Sequence, residues 1–235
     1  MRKLVWFSCG AASAVAAYMA LRKYPDAEIV YCDTLKYEHP DNVRFLSDIE
    51  SWIGKPIKIL KSDRYKDIME CFRATKFVVG PRFAPCTKYL KKDVRIKYST
   101  PHDIHIFGYT VEEKHRVERF ERQNQQLWCE WILLDEGITK QDCFKILQSA
   151  GIILPKMYLL GYGNNNCIGC VKGGKGYWNR IRVDFPDRYH EMASLERELG
   201  ARIHRDVFLD ELPPDAGRFK PIYVGECGVL CTGER

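Results

Sequence analysis

Short apolar runs alternate with segments of helical periodicity through the first half of the chain. The runs at 4–7, 27–32, 57–60 and 103–108 are rich in strand-forming residues, whereas the segments at 14–23 and 40–53 place apolar residues at helical spacing. Strands that alternate with helices favour a parallel sheet. We therefore predict an α/β fold, a doubly wound and mainly parallel sheet with helices on both faces, whose strands end at one ligand-binding edge.

The last third of the chain has a different pattern and is rich in glycine, asparagine and cysteine. The pattern predicts a helix at 140–150, a loop at 161–176 that holds six glycines, and a polar helix at 186–199. We expect residues 1–160 to form the α/β domain. Residues 161–235 are expected to form a cysteine-rich C-terminal subregion that packs on this domain within one compact unit.

Charge and hydropathy narrow the function classes only a little. The net charge of +6 suits an anionic substrate such as a nucleotide, or a nucleic acid, but proteins that bind neither are often this basic. The sequence has no stretch of about 18 uninterrupted apolar residues. We therefore expect no membrane span and a cytoplasmic location, where the ten cysteines favour metal-binding or catalytic roles.

A turn of small residues, 8–13, lies between the first predicted strand and the first predicted helix. Small residues let a backbone approach an anion, and the free amides and dipole of a helix N-terminus favour phosphate. Ser8 and Ser13 add hydroxyl donors. The same residues are also typical of a tightly packed turn, so both interpretations stay open at this point.

The Cys167-Ile168-Gly169-Cys170 motif is the most specific chemical feature of the sequence. Two thiolates at this spacing can chelate one metal ion or one cluster. Further thiolates outside the apolar-periodic segments are available at Cys86, Cys227 and Cys231. Spacing alone does not decide between zinc and an iron–sulfur cluster. The other cysteines in apolar-periodic segments are expected to be small buried hydrophobes, namely Cys32, Cys71, Cys129 and Cys143.

The turn at 8–13 resembles the phosphate loop, or PP-loop, of the adenine-nucleotide alpha-hydrolase superfamily, whose usual form is Ser-Gly-Gly-x-Asp-Ser. Cys9 replaces its first glycine and Ala12 its acid. Asp33-Thr34 resembles the family's Asp-Thr-Gly, although it is equally typical of a helix cap. The resemblance implies an adenine nucleotide, such as ATP, adenosine phosphosulfate or phosphoadenosine phosphosulfate, bound by Ser8, Cys9, Gly10, Ala11, Ser13, Asp33, Thr34 and Gly108.

The stretch from 133 to 170 resembles the segment before the second cysteine pair of the phosphoadenosine-phosphosulfate reductase family. In its iron–sulfur members a Cys-Cys followed by a basic residue lies upstream, where this chain reads Pro85-Cys86-Thr87-Lys88. Glu226-Cys227-Gly228 resembles the family's catalytic Glu-Cys-Gly. The resemblance implies Cys227 as the catalytic thiol and a [4Fe–4S] cluster on Cys86, Cys167, Cys170 and Cys231. Cys227 or an open iron site are alternatives for the fourth position.

The leading expectation is a sulfonucleotide reductase-like oxidoreductase, in which Cys227 attacks the activated sulfur and a thiol reductant releases sulfite. The activated sulfate would then lie near Arg82, Lys88 and Lys91.

An ATP-dependent sulfurtransferase that thiolates a nucleic acid is the first alternative, with a sulfur donor as partner. Its nucleic-acid contacts would be basic and aromatic residues, namely Lys172, Lys175, Tyr177, Trp178, Arg180 and Arg182. The second alternative is a non-catalytic nucleotide-binding or regulatory protein with a zinc site. The sequence leaves two further partners open, namely a nucleic acid and a second copy of the chain in a homodimer.

Overall fold

The centre of the molecule is a five-stranded, all-parallel sheet with the strand order β3–β2–β1–β4–β5. The computed structural model describes residues 1–81 and 83–224. The strands are β1 (Lys3–Phe7), β2 (Glu28–Cys32), β3 (Ile57–Leu60), β4 (Ile104–Phe107) and β5 (Trp128–Glu130). The predicted doubly wound parallel sheet is therefore confirmed, and β5 is a strand that the apolar pattern did not predict.

Helices cover both faces of the sheet and continue into the last third of the chain. They are α1 (Ala11–Lys23), α2 (Asn42–Ile53), α3 (Ile68–Thr75), α4 (Pro85–Thr87), α5 (Asp93–Tyr98), α6 (Lys114–Gln123), α7 (Ile132–Asp135), α8 (Lys140–Ser149), α9 (Lys156–Leu159), α10 (Lys175–Asp184) and α11 (Pro186–Leu199). A π-helical turn, Lys88–Lys92, joins α4 to α5. None of the helices in the described part of the chain has the length and apolar character that a membrane crossing requires.

Helix α1 packs so closely on the sheet because small side chains line it. Ala14, Ala16, Ala17 and Ala20 are all fully buried, together with Val15. A second core forms away from the sheet, around Trp178, and takes residues both from 68–90 and from 157–212. This second core thus draws on both sides of the boundary that was expected at residue 160.

The ion pair between Arg2 and Asp103 joins the residue before β1 to the residue before β4. Asp103 is 3% exposed and accepts hydrogen bonds from Arg2 Nη2 (2.6 Å) and from the Thr100 amide (2.7 Å). Burial acts to raise the pKa of Asp103, but the hydrogen bonds from Arg2 and Thr100 outweigh it and leave the pKa lowered. A carboxyl whose pKa is lower in the folded protein than in the unfolded protein stabilises the fold at any pH above its unfolded pKa, near 4. This stabilisation is lost as the pH falls through the pKa of the folded state.

We expect Asp103→Asn to lower the free energy of unfolding by about 2 kcal/mol at neutral pH. Because wild-type Asp103 becomes protonated in acid, the difference between the two proteins should shrink as the pH falls below about 4. Urea unfolding at several pH values measures this difference. Asp26→Asn is the matched control, since Asp26 is 71% exposed and lies 3.5 Å from Lys3. An equal effect of the two substitutions would contradict the assignment.

Candidate functional site

The predicted phosphate loop lies at the switch point of the sheet. The chain places β2 and β3 on one side of β1 and β4 and β5 on the other, and ligands of open parallel sheets bind in the crevice that this reversal creates. Ser8, Cys9 and Gly10 follow β1, and Gly108 follows β4 on the other side of the crevice. Helix α1 begins at Ala11, three residues earlier than predicted, so its N-terminal amides belong to the loop itself.

Gly108 allows β4 to approach the loop closely. A Cβ atom at this position would lie 2.7 Å from both the Cα and the N atom of Ser13, and 2.8 Å from the carbonyl carbon of Ala12. These are backbone atoms, which cannot move aside as a flexible side chain can. The glycine that the resemblance assigned to nucleotide binding therefore has a clear structural role, which is to bring the two walls of the crevice together.

The Ser13 hydroxyl organises the loop from within. It donates to the Gly10 carbonyl (2.9 Å) and accepts from the amides of Ser8 (3.1 Å) and Gly10 (3.3 Å). Ser13 is 5% exposed, whereas the Ser8 side chain is exposed at the mouth of the crevice. The Ser8 hydroxyl donates to Ser13 Oγ (3.1 Å), so it must turn away from Ser13 to donate to a ligand, while Ser13 shapes the surrounding backbone.

Cys9 occupies a left-handed backbone conformation, with φ 54°. This conformation favours glycine, the residue that the superfamily pattern has at this position. The Cys9 side chain is fully buried, and both burial and the charge of Glu38 raise the pKa of its thiol far above the ordinary value. Cys9 therefore remains a neutral thiol, which suits packing and not nucleophilic attack.

Asp33 and Thr34 have different local roles. Asp33 Oδ1 accepts the Leu35 amide (3.1 Å) at the start of a 3₁₀ turn, Leu35–Tyr37, of which Thr34 is the N-cap residue. The Thr34 hydroxyl is buried and makes no capping hydrogen bond, but donates to Glu38 Oε1 (2.6 Å). The contact of Asp33 and Thr34 with a nucleotide stays a prediction.

A buried polar network joins the phosphate loop to the cysteine loop. Asn165 Nδ2 donates to the Cys9 carbonyl (2.5 Å) and to Asn42 Oδ1 (2.7 Å), and Asn42 Nδ2 donates to Glu38 Oε2 (2.7 Å). Asn165, Asn42 and Glu38 are each at most 6% exposed. Sequence analysis missed this network, because three consecutive asparagines in a glycine-rich loop are also typical of exposed turns.

Tyr158 supports the same loop from the other side. Its hydroxyl accepts the Ala11 amide (3.3 Å) at the N-terminus of α1 and is 3.2 Å from the place of a Cβ at Gly10. The ring is 4% exposed, and burial raises the pKa of the phenol to about 12. The residue therefore acts as a neutral hydrogen-bonding partner of the loop.

Three of the predicted metal ligands lie in one cleft. Cys86 is in the first turn of α4, directly after Pro85, while Cys167 and Cys170 flank Gly169, whose φ of 72° reverses the chain between them. The Tyr177 hydroxyl accepts the Cys170 amide (3.0 Å) and donates to the Cys167 carbonyl (3.2 Å). The three thiols are free and near enough that the charge of each affects the pKa of another.

Lys91 provides positive charge to this cleft. Its side chain is exposed, and the charges of Cys167, Glu38 and Cys86 act on its ammonium. Burial acts to lower the pKa of Lys91, but the charges of Cys167 and Glu38 outweigh it, so the residue stays cationic. Burial raises the pKa of Cys167 to about 12, and Lys91 opposes this rise. A π-helical turn such as Lys88–Lys92 is often found at functional sites.

The three thiols, which come from two segments of the chain, are the type of ligand that a soft metal centre prefers. In the described residues no group of three or more His, Cys, Asp or Glu side chains is arranged to hold a metal ion. Cys227 and Cys231, the predicted catalytic thiol and fourth ligand, lie outside the described residues. A cavity of about 570 Å³ is lined by Tyr37, Glu38 and Ile168 among others, and Ile168 lies between the two cysteines of the pair in sequence.

Within the basic and aromatic stretch at 172–182, the structure contradicts the expected stacking of a base on Trp178. Trp178 is fully buried in the second core, so it cannot stack on a base. Arg180 pairs with Asp184 (2.7 Å), Arg182 donates to the Leu212 carbonyl (2.6 Å), and Lys175 pairs with Asp206 (2.5 Å). The Arg180 pair lies within α10, whereas Arg182 and Lys175 join α10 to the later segment that carries Asp206 and Leu212.

Comparison with known proteins adds no relative. The sequence matches no protein-family model, and it matches no curated protein.

Proposed function

We propose that this chain is a phosphoadenosine-phosphosulfate reductase-like enzyme that binds an adenine nucleotide and an iron–sulfur cluster, and reduces or transfers activated sulfur. The observation that carries the proposal is the hydrogen bond from Asn165 to the Cys9 carbonyl (2.5 Å). It ties the phosphate loop to a residue only two positions before Cys167. An enzyme of this class needs its nucleotide-binding loop and its cysteine cluster to be neighbours.

In this proposal the phosphates bind to the amides at the N-terminus of α1, with the Ser8 hydroxyl as an additional donor. The adenosine lies along the crevice toward Gly108, and the activated sulfate extends toward Lys91. The Lys91 ammonium neutralises the anionic sulfur group, which otherwise repels an attacking thiolate. Cys86, Cys167 and Cys170 would hold the cluster, which would supply an electrostatically tuned iron centre.

The chemical step that this arrangement serves is attack of the Cys227 thiolate on sulfur. An S–S bond forms, the bond from sulfur to the phosphate oxygen breaks, and the adenosine phosphate leaves with the electron pair. A thiol reductant then attacks the Cys227 sulfur, so that sulfite leaves and the two thiols are joined as a disulfide. The reductant is oxidised and the sulfur of the substrate is reduced by two electrons.

The test is the iron and acid-labile sulfide content of protein purified without oxygen. We expect about four irons per chain and a broad visible absorption in the wild type, and loss of both in Cys167→Ser. Cys129→Ser is the matched control, because Cys129 is a free, partly exposed thiol on β5, outside the cleft. One zinc per chain without colour would overturn the iron–sulfur assignment, as would equal iron in the two variants.

A further inference from the structure

A second cavity lies at the carboxyl end of β3, separate from the crevice and the cysteine cleft. Its volume is about 350 Å³, within the range of small-molecule sites, and Leu60, Lys61, Arg64, Tyr89, Lys97 and Tyr98 line it. Tyr89, Asp93 and Lys97 follow one another at intervals of four residues and form one face of the helical segment 88–98. Lys91, two residues beyond Tyr89, points to the other side, toward the cysteines.

Three cations line this cavity, Lys61, Arg64 and Lys97, together with two carboxylates, Asp63 and Asp93. Arg64 has no carboxylate partner in the described part of the chain, and its side chain donates only to the Tyr65 hydroxyl (3.2 Å). Lys61 lies 3.8 Å from Asp33, at the outer limit of an ion pair, and Lys97 pairs with the exposed Asp63. A phosphate that enters between these cations would meet donors whose charges are only partly neutralised.

Aromatic faces form the wall behind the cations. The Arg64 guanidinium lies 4.3 Å from the centroid of the Tyr89 ring, and Tyr89 is itself held edge-on by Tyr65 and Phe83. Tyr98 forms a second aromatic wall, with the Lys58 ammonium 4.8 Å from its ring centroid. Tyrosine rings and guanidinium planes are the platforms on which proteins stack single-stranded bases, while lysines track the phosphates.

We propose that this cavity is a second nucleotide site, which stacks a base on Arg64 and Tyr89 and holds its phosphate between Lys61 and Lys97. The ligand is either a free nucleotide or one nucleotide unit of a single-stranded nucleic acid, since both present the same base and phosphate. The site stands independently of the proposed sulfur chemistry, because none of its lining residues belongs to the phosphate loop or the cysteine cleft.

Thymidine monophosphate and a labelled oligothymidine of about ten nucleotides are suitable probes, since they lack the adenine that the first site is proposed to recognise. Binding is measured by calorimetry and by fluorescence anisotropy. We expect Arg64→Gln and Tyr89→Leu each to weaken binding about tenfold, and Lys97→Gln to reduce the salt dependence of oligonucleotide binding by about one ion. Lys92→Gln is the matched control, because Lys92 is an exposed cation on the same segment that does not line the cavity.

If the oligonucleotide binds much more tightly than the mononucleotide, the ligand of this site is a single-stranded nucleic acid. If the two affinities are equal, the ligand is a free nucleotide. The proposal is overturned if wild type binds neither probe, if Arg64→Gln binds as wild type does, or if inorganic phosphate binds as well as thymidine monophosphate. Thermal unfolding of each variant separates lost binding from lost folding. Iron content of the same samples reports on the cysteine cleft, so failure of one proposal is distinguishable from failure of the other.

Discussion

Gly108→Ala is expected to lower the free energy of unfolding by about 3 kcal/mol and to weaken adenine-nucleotide binding by more than tenfold. The new methyl group would lie 2.7 Å from Ser13 backbone atoms, far inside normal contact distance. Relief requires β4 to move away from the first turn of α1, and that turn carries the amides proposed to hold the phosphates. Urea unfolding and calorimetric titration with ATP or adenosine phosphosulfate measure the two effects.

Gly163→Ala is the matched control for this prediction. A Cβ at Gly163 would meet only the Ile222 methyl group, at 3.9 Å, which is an ordinary contact, and Gly163 does not have a positive φ. We expect this variant to unfold within about 0.5 kcal/mol of the wild type. If Gly108→Ala behaved like Gly163→Ala, the close approach of β4 to the phosphate loop would not matter for stability. If it lost stability but kept its affinity, the loop would not be the nucleotide site.

The sheet could be predicted from the sequence wherever a strand is buried and apolar. The runs that became β1, β2 and β4 are of this kind, while β3 is apolar at three of its four positions although only Ile57 is buried. By contrast, β5 has only three residues, Trp128–Glu130, and Trp128 is 64% exposed. A strand so short and so exposed has no apolar pattern to detect, and only its pairing with β4 defines it. The early start of α1 has a similar cause, because alanine and serine are compatible with both a turn and a helix.

The candidate site could be predicted as a set of residue types but not as a three-dimensional arrangement. The Cys-x-x-Cys motif and Cys86 are visible in the sequence, and the structure places them in one cleft. Nothing in the spacing indicates that Glu38, Asn42 and Asn165 join across more than a hundred residues of chain. The burial of Trp178, by contrast, had a signal, since Ile181 lies one turn later on the same face and is also fully buried.

The polar network also explains how two distant segments can form one site. Glu38 accepts hydrogen bonds from Thr34, at the end of β2, and from Asn42, at the start of α2, while its charge acts on Cys9, Lys91 and Cys167. Asn165 Nδ2 donates to the Cys9 carbonyl and to Asn42 Oδ1, whereas Asn165 Oδ1 is buried without a hydrogen-bond partner among the described residues. The network therefore joins the cysteine loop to the nucleotide crevice through the Asn165 amide donor alone.

Asn165→Ala is accordingly expected to cost about 3 kcal/mol of stability, because it leaves the Cys9 carbonyl and Asn42 Oδ1 without their donor in a buried place. Iron content and nucleotide affinity should fall together, since one side chain positions both loops. Asn165→Asp keeps the volume but lacks the amide donor, and should behave similarly. Asn166→Ala is the matched control at the exposed neighbouring position, with little expected effect. Wild-type stability in Asn165→Asp would show that these hydrogen bonds do not hold the site together, and loss of iron with unchanged nucleotide affinity would show that the two loops are independent.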